Sequence, residues 1–208
     1  MLIGILALQG DFAEHRAALR ALGADTRLVR LPRELSAVDG LIIPGGESTT
    51  MALLLGRYAL REPLRARLAG GLPSWGTCAG MVLLARRLTD PRPQPLGIVD
   101  MVVSRNAFGR QVDSFETELS VDGIGGQALH AVFIRAPVVR ETGAAVRVLA
   151  RLPDGRPVAV QQGPHLATAF HPELTADRRL HRHFLATVAE RGTVRAARAA
   201  TDCSAFPG

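Results

Sequence analysis

Cys78 lies in the stretch "SWGTCAGMV" (74–82), between Gly76 and Gly80. The residues before the cysteine predict a short buried strand, and those after it predict a helix. This layout matches the nucleophile elbow G-x-S-x-G with sulfur in place of oxygen, in which a sharp strand-to-helix turn holds the nucleophile in a strained position. A helix N-terminus behind the sulfur would also favour the thiolate. The alternative is a buried structural cysteine in a glycine-rich connection.

A cysteine nucleophile needs a base, and His171 is the best candidate. It follows the apolar run "HLATAF" (165–170), and Glu173 stands two residues further on. Positions i and i+2 of an extended chain point the same way, so the Glu173 carboxylate can meet the His171 ring. The pattern therefore predicts a Cys–His–Glu triad. Taken alone, "HPE" equally fits a strand end before a helix.

The other five histidines fit structural positions better. His15 is predicted to be solvated surface on the first helix. His181 and His183 stand two apart on the last helix, so they face different ways and suit neither a metal site nor a catalytic pair. His130 and His165 begin predicted strands.

A third motif, "PGGESTT" (44–50), follows a predicted parallel strand. Ligands of open α/β sheets bind at the carboxyl ends of such strands. Two adjacent glycines leave backbone N–H groups accessible, as an oxyanion hole requires. A phosphate loop or a plain turn is the alternative, but the G-K-[ST] of a P-loop is missing.

The first half of the chain alternates strand and helix. This order predicts a parallel sheet with helices on both faces. The predicted strands are 2–8, 26–31, 40–46 and 72–75, and the predicted helices are 11–23, 48–69 with a break near Pro63, and 79–88.

The second half is richer in strands. They are predicted at 97–106, 115–121, 130–136, 146–152 and 165–170, with a hairpin turn at "LPDGRP" (152–157) and a last helix from about 175 to 190. The fold class is therefore α/β: one domain with an open, mixed but mainly parallel, flavodoxin-like sheet flanked by helices, and extra antiparallel strands in its second half. Residues 1–191 are predicted to form this domain, and 192–208 a disordered tail.

Composition predicts a globular protein without a membrane span. Hydrophobic residues make up 47% and charged residues 21% of the 208 positions. The apolar N-terminus lacks the features of a signal peptide, and two distant cysteines form no disulfide framework, so the cytoplasm is the expected location. The net charge of +6 comes from 25 basic residues that are all arginine. They are scattered without aromatic interleaving, which argues against a nucleic-acid partner.

Together these motifs resemble those of the class I glutamine amidotransferases, and among them the family of glutaminase subunits of pyridoxal 5′-phosphate synthase. The resemblance covers roughly residues 1 to 190. Six segments in order carry it: "LQGDFAEH", "LIIPGGESTTM", "WGTCAGMVLLA", "RNAFGRQVDSFE", "FIRAP" and "FHPELT". "RNAFGRQVDSFE" and "GGEST" distinguish this family from glutaminases of purine, pyrimidine or histidine synthesis.

The resemblance implies a role for each matching residue. Cys78 would be the nucleophile, His171 the general acid and base, and Glu173 its orienting group. The remaining roles would be glutamine binding by Gly46, Glu47, Ser48, Arg105, Ile134 and Arg135, oxyanion donation by the N–H groups of Gly46 and Ala79, and coupling to the partner subunit by Gln9.

The resemblance also implies partners. The substrate would be L-glutamine, and the ammonia would pass to a barrel-fold synthase subunit in a hetero-oligomeric complex. No metal or organic cofactor would be needed in this chain. Two readings remain open beside it, namely a non-enzymatic binding domain with a structural Cys78 and a glutaminase for another acceptor synthase. A papain-like protease is disfavoured because "CGSCW" and a later asparagine are missing.

Overall fold

The chain folds around a central sheet of seven strands within the residues that the structure describes. The computed structural model describes residues 1–105 and 114–204, with side chains described as far as residue 194. Its strands are β1 (Leu2–Leu6), β2 (Asp25–Val29), β3 (Gly40–Ile43), β4 (Ser74–Thr77), β5 (Ala85–Leu88), β6 (Val99–Ser104), β7 (Ser114–Leu119), β8 (Leu129–Ile134), β9 (Val138–Thr142), β10 (Arg147–Arg151), β11 (Pro157–Gln162) and β12 (His165–Thr168). Its helices are α1 (Phe12–Ala21), α2 (Pro32–Leu35), α3 (Ser48–Arg57), α4 (Arg61–Ala69), α5 (Ala79–Leu84) and α6 (Arg179–Ser204), and a 3-10 turn spans Pro172–Leu174.

The order of strands in the central sheet is β10-β11-β12-β4-β3-β1-β2. The five strands from β12 to β2 run parallel, whereas β10 and β11 form an antiparallel hairpin at one edge. This arrangement confirms the predicted fold class. The carboxyl ends of β1, β3, β4 and β12 lie side by side, and each is followed by one of the motifs singled out above.

Hydrophobic patterning explains which strands are central. Every residue of β3 and β4 is buried, as in strands covered on both faces. Strand β2 alternates exposed and partly buried positions because it forms the edge of the sheet. Trp75, Phe133, Phe170 and Phe184 are the largest fully buried side chains. Phe184 lies 6.0 Å from Trp75 between ring centroids, which attaches α6 to the centre of the sheet.

The predicted helix over 79–88 is wrong in its second half. Helix α5 ends at Leu84, and the next four residues form β5, which pairs in parallel with β6. Ala85 and Leu88 are buried in this strand while the two arginines between them are exposed. An apolar run of this length fits a helix and a buried strand equally well, and only pairing with β6 decides between them. Strands β5, β6 and β9 form a separate sheet, and β7 and β8 form a two-stranded one; β9 was not predicted.

The last helix also differs from its prediction. Helix α6 begins at Arg179, not near Thr175, because the Asp177 carboxylate accepts a hydrogen bond from the Arg179 amide (2.9 Å) at the helix start. It continues to Ser204, through a segment predicted as irregular. Alanine and arginine favour a helix without needing an amphipathic period. The division into a domain (1–191) and a tail (192–208) stays a prediction, and the side chain of Cys203 lies outside the described residues. In the described part of the chain, no helix combines the length and hydropathy that crossing a bilayer requires.

Candidate active site

The strand-to-helix turn at Cys78 has the predicted elbow geometry. Cys78 joins β4 to α5 with φ +46° and ψ −102°, a region that residues with a side chain rarely occupy. A Cβ atom added to Gly80 would lie 2.0 Å from the Ile43 carbonyl oxygen, and one added to Gly76 would lie 2.5 Å from the Gly80 backbone. The small neighbours are therefore required by sterics. The Cys78 side chain is mostly buried.

His171 and Glu173 meet beside this elbow. The His171 Nδ1 and the Glu173 Oε1 are 2.8 Å apart, and both residues are buried. The contact was predicted for an extended chain, but Pro172 begins a 3-10 turn, and this turn brings the carboxylate to the ring. Cys78 also lies near enough to the His171 ring to raise the pKa of that histidine. Because Nδ1 faces Glu173, Nε2 is the nitrogen left for the sulfur.

Asp11 is a second carboxylate at the same ring, and the sequence analysis missed it. Its Oδ2 lies 3.3 Å from the His171 Nδ1, and its side chain is about one-third exposed. The Asp11 amide donates a hydrogen bond to the Gly45 carbonyl oxygen (3.2 Å). The available signal was its place after β1, because β1 and β3 are neighbouring parallel strands that end at the same edge of the sheet.

The surroundings of His171 favour its protonated form. Burial by itself lowers the pKa of His171, but hydrogen bonds with Asp11, Cys78 and Glu173 outweigh this effect and raise the pKa from 6.5 to about 12. Burial raises the pKa of Glu173, and its contact with His171 opposes that rise. A neutral-pH imidazolium at this position can donate a proton to a leaving group.

The prediction for His15 is wrong, because its side chain is fully buried. Its Nε2 lies 3.1 Å from the Thr77 Oγ1 and 3.3 Å from the Glu173 Oε2. Its Nδ1 lies 3.2 Å from the Nε2 of His181, which is also fully buried. Sequence reasoning failed here because the buried face of α1 is set by α6 and the sheet, which no local pattern reveals.

The "PGGES" loop lies next to His171. A Cβ atom added to Gly45 would lie 2.3 Å from the His171 Cε1, so the loop backbone packs directly on the ring. Gly46 has φ +145°, and the Gln9 Oε1 accepts a hydrogen bond from the Glu47 amide (2.6 Å). Gln9 thus holds the loop that carries Gly46.

Glu47 and Ser48 form the start of α3. The Glu47 carboxylate caps this helix by accepting hydrogen bonds from the amides of Thr49 (3.1 Å) and Thr50 (2.6 Å). Ala79 is the first residue of α5, so its N–H has no acceptor within the helix. The Ala79 N–H therefore lies at the elbow itself, whereas the Gly46 N–H belongs to the loop whose Gly45 packs on the His171 ring.

The other predicted substrate-binding residues lie at the start of α3 or at the end of β8. The Arg105 Nη1 donates hydrogen bonds to the Thr49 Oγ1 (2.8 Å) and the Ser48 Oγ (3.4 Å). The Ile134 carbonyl oxygen lies 3.8 Å from the Cys78 Sγ. Arg135 follows with φ +43°, a second strained position beside the site. Most of the segment "RNAFGRQVDSFE" (residues 106–113) lies outside the described residues.

Asp11, His171 and Glu173 are also ligand types that metal ions use, and their ligand atoms lie within 4.8 Å of one another. A metal ion would compete with the proton shared between His171 and the two carboxylates. The 2.8 Å hydrogen bond between the His171 Nδ1 and the Glu173 Oε1 engages the ring nitrogen that this group would offer to a metal ion.

Comparison with known proteins identifies the family. The model of the SNO glutamine amidotransferase family matches residues 5–190. The chain belongs to this family. Its relatives include two proteins named pyridoxal 5′-phosphate synthase subunit PdxT. The one from Parafrankia sp. (strain EAN1pec) is 63% identical and covers 89% of this chain and 92% of its own. The one from Acidothermus cellulolyticus is 59% identical and covers 92% and 96%.

A solved structure supports the same assignment. A crystal structure of a glutamine amidotransferase has a TM-score of 0.85 and 49% identity, covering 90% of this chain and 98% of that one. Membership of the SNO glutamine amidotransferase family confirms the resemblance found in the sequence and the enzyme class. The roles of the individual residues stay predictions.

Proposed function

We propose that this chain is the glutaminase subunit of a pyridoxal 5′-phosphate synthase and that Cys78, His171 and Glu173 are its catalytic triad. The observation that carries the proposal is the hydrogen-bonded pair His171–Glu173 (2.8 Å) beside a cysteine held at φ +46°. The PdxT relatives support the synthase assignment, because their name states that they are subunits of that enzyme.

The reaction follows from these contacts. The Cys78 sulfur, having given its proton to His171, attacks the side-chain carboxamide carbon of glutamine. The N–H groups of Gly46 and Ala79 stabilise the oxyanion of the tetrahedral intermediate. His171 then protonates the leaving nitrogen, so that ammonia departs and a γ-glutamyl thioester remains on Cys78. Water, deprotonated by His171, releases glutamate and restores the thiol.

The substrate is held by groups at the start of α3 and at the ends of β6 and β8. The Arg105 guanidinium suits the α-carboxylate of glutamine because its N–H groups can bind both carboxylate oxygens. Glu47, Ser48 and the backbone of Ile134 and Arg135 complete the proposed binding site. No step of this mechanism requires a metal or an organic cofactor.

The ammonia is proposed to pass to the synthase subunit of a hetero-oligomeric complex, and Gln9 to link the site with that partner. Gln9 is suited to this role because its side chain already holds the loop that carries Gly46. Free ammonia would be protonated in water, so direct transfer is functionally expected. L-Glutamine and the synthase subunit are the proposed partners, and the cytoplasm is the expected compartment.

The test is glutamine hydrolysis in the presence of the synthase subunit. We expect Cys78→Ala to abolish glutamate release while the fold is kept, and Cys203→Ala, which removes the chain's other cysteine, to leave the rate unchanged. Amide-labelled ¹⁵N-glutamine should deliver its label to the pyridoxal phosphate ring nitrogen. Wild-type rates in Cys78→Ala would refute the triad. Hydrolysis without transfer of the label would instead indicate a different acceptor synthase.

A further inference from the structure

Behind the catalytic pair lie two buried histidines that the proposed mechanism does not use. His15 on α1 and His181 on α6 are fully buried, and the His181 Nε2 lies 3.2 Å from the His15 Nδ1. Both rings pack edge-on against Trp75, with centroid distances of 5.5 Å and 4.9 Å. Their positions are therefore fixed by three elements of the core.

The Glu173 Oε2, which His171 does not reach, needs a hydrogen-bond donor. The Glu173 Oε1 is bonded to His171, but the Oε2 is inaccessible to solvent and makes no hydrogen bond of ordinary geometry. A buried carboxylate oxygen without a donor is costly. The His15 Nε2, at 3.3 Å, is the nitrogen that faces this oxygen.

The proton positions on the two histidines can be assigned from their neighbours. The His181 Nδ1 is buried without a hydrogen-bond partner. A buried N–H without an acceptor is rarer than an unused lone pair, so His181 carries its proton on Nε2 and donates it to the His15 Nδ1. His15 must then carry its own proton on Nε2, which hydrogen-bonds the Thr77 Oγ1 (3.1 Å) and lies 3.3 Å from the Glu173 Oε2.

We propose that His15 is a positioning residue of the active site: its Nε2–H, oriented by His181, keeps Glu173 ionised and turned toward His171. This inference rests on the proposed function of Cys78, His171 and Glu173. His15 touches neither the sulfur nor the substrate site described above, and it acts only through the carboxylate.

The charged groups around the pair are consistent with two neutral rings. Burial lowers the pKa of His15, and His181, His171 and Arg178 lower it further. Burial, and then Arg178, lower the pKa of His181 to about 3. Asp11 faces His171 from the solvent side and adds negative charge near Glu173. The proton positions assigned above, with one proton on the Nε2 of each histidine, require both rings to be neutral.

The first test measures the proton positions directly. The full chain is labelled with ¹⁵N-histidine, and ring tautomers are determined by NMR at pH 7. We expect both His15 and His181 to be neutral with the proton on Nε2. A proton on the His15 Nδ1, or a charged His15, would overturn the proposal, because no donor would then face the Glu173 Oε2.

The second test compares His15→Leu with His15→Gln in glutamine hydrolysis with the synthase subunit present. Leucine fills the space without a donor, whereas the glutamine amide carries an N–H at about the reach of the imidazole Nε2. For His15→Leu we expect kcat to fall about 10-fold with little change in KM. The acidic limb of the pH profile of kcat/KM should shift to higher pH by about one unit, because the Glu173 carboxylate ionises less readily once it loses a hydrogen-bond donor. His15→Gln should restore most of both values.

His165→Asn is the matched control. His165 is another buried histidine of the same sheet, but it bonds the Ser74 Oγ (2.9 Å) at the opposite ends of the strands. This variant can lose stability and should keep the wild-type pH profile. A wild-type profile in folded His15→Leu would overturn the proposal. If His15→Leu does not fold, His15→Gln decides alone. An acidic limb shifted by about one pH unit in this donor-carrying variant would then overturn the proposal. A wild-type chain that releases no glutamate with its partner would instead refute the proposed function.

Discussion

Gly45→Ala tests whether His171 works in the position that the structure gives it. Gly45 does not have a positive φ, so its backbone conformation is open to alanine, and the substitution adds only a methyl group. That methyl carbon would lie 2.3 Å from the His171 Cε1, 2.9 Å from its Nδ1 and 3.1 Å from the Asp11 Oδ2. The ring and not the main chain of residue 45 is therefore expected to move.

The size of the effect follows from the distances. Carbon atoms in contact lie about 3.5 Å apart or more, so the ring must shift by about 1 Å. Such a shift would break the 2.8 Å contact of His171 with Glu173 and misalign the ring with Cys78. A misplacement of about 1 Å costs roughly 10²-fold in rate. Overpacking of this kind also costs about 1–3 kcal/mol in the free energy of unfolding.

The assay is glutamate release at saturating glutamine with the synthase subunit, together with urea denaturation. Gly56→Ala is the matched control, because Gly56 lies in the exposed last turn of α3 and an added Cβ would meet no atom within 4 Å. This control should keep wild-type kcat and gain about 0.5–1 kcal/mol in stability from better helix propensity. A folded Gly45→Ala variant with kcat within threefold of wild type would refute the assigned position of His171.

Three further predictions concern the site and the buried histidines. Glu173→Gln keeps the side-chain shape but removes the charge beside the His171 imidazolium, so kcat should fall roughly 10²-fold, less than on loss of Cys78; near-wild-type kinetics would leave Glu173 a purely structural residue. Docking of the synthase subunit at Gln9 is expected to align the Gly46 N–H, because Gln9 holds the loop that carries this donor. The isolated chain should therefore release glutamate about 10²-fold more slowly than the complex, since one misaligned oxyanion donor costs about that much, and equal rates would argue for a preformed site. Burial lowers the pKa of His165 to about 4 and that of His181 to about 3. Well above pH 6.5 both histidines are neutral in the folded and the unfolded chain. Below pH 6.5 the unfolded chain binds protons at these histidines while the folded chain does not. As the pH decreases from 6 to 4, the free energy of unfolding should therefore fall by about 1.4 kcal/mol per pH unit for each histidine. His165→Asn should remove one such contribution from the measured slope, and an unchanged slope would contradict a buried neutral His165.

Local sequence was enough to predict the parts of the site that are set by short-range sterics. The elbow at Cys78 follows from two glycines that leave no room for a Cβ atom. The contact between His171 and Glu173 follows from their separation of two residues, although the connecting turn is 3-10 and not extended. The run of apolar strands followed by helices likewise predicts a mainly parallel sheet, because both faces of such strands must be covered.

Tertiary structure decided which distant side chains join that site. Asp11 and His15 lie one helical turn apart at the start of α1, yet the first faces His171 from the solvent side and the second is buried behind Glu173. His181 reaches His15 across 166 positions of sequence. The same dependence on distant partners turned residues 85–88 into a strand. The sequence by itself thus determines the elbow at Cys78 and the pairing of His171 with Glu173. The burial and protonation of the surrounding groups depend on how α1 and α6 pack against the sheet, since desolvation and hydrogen bonding act through space and not along the chain.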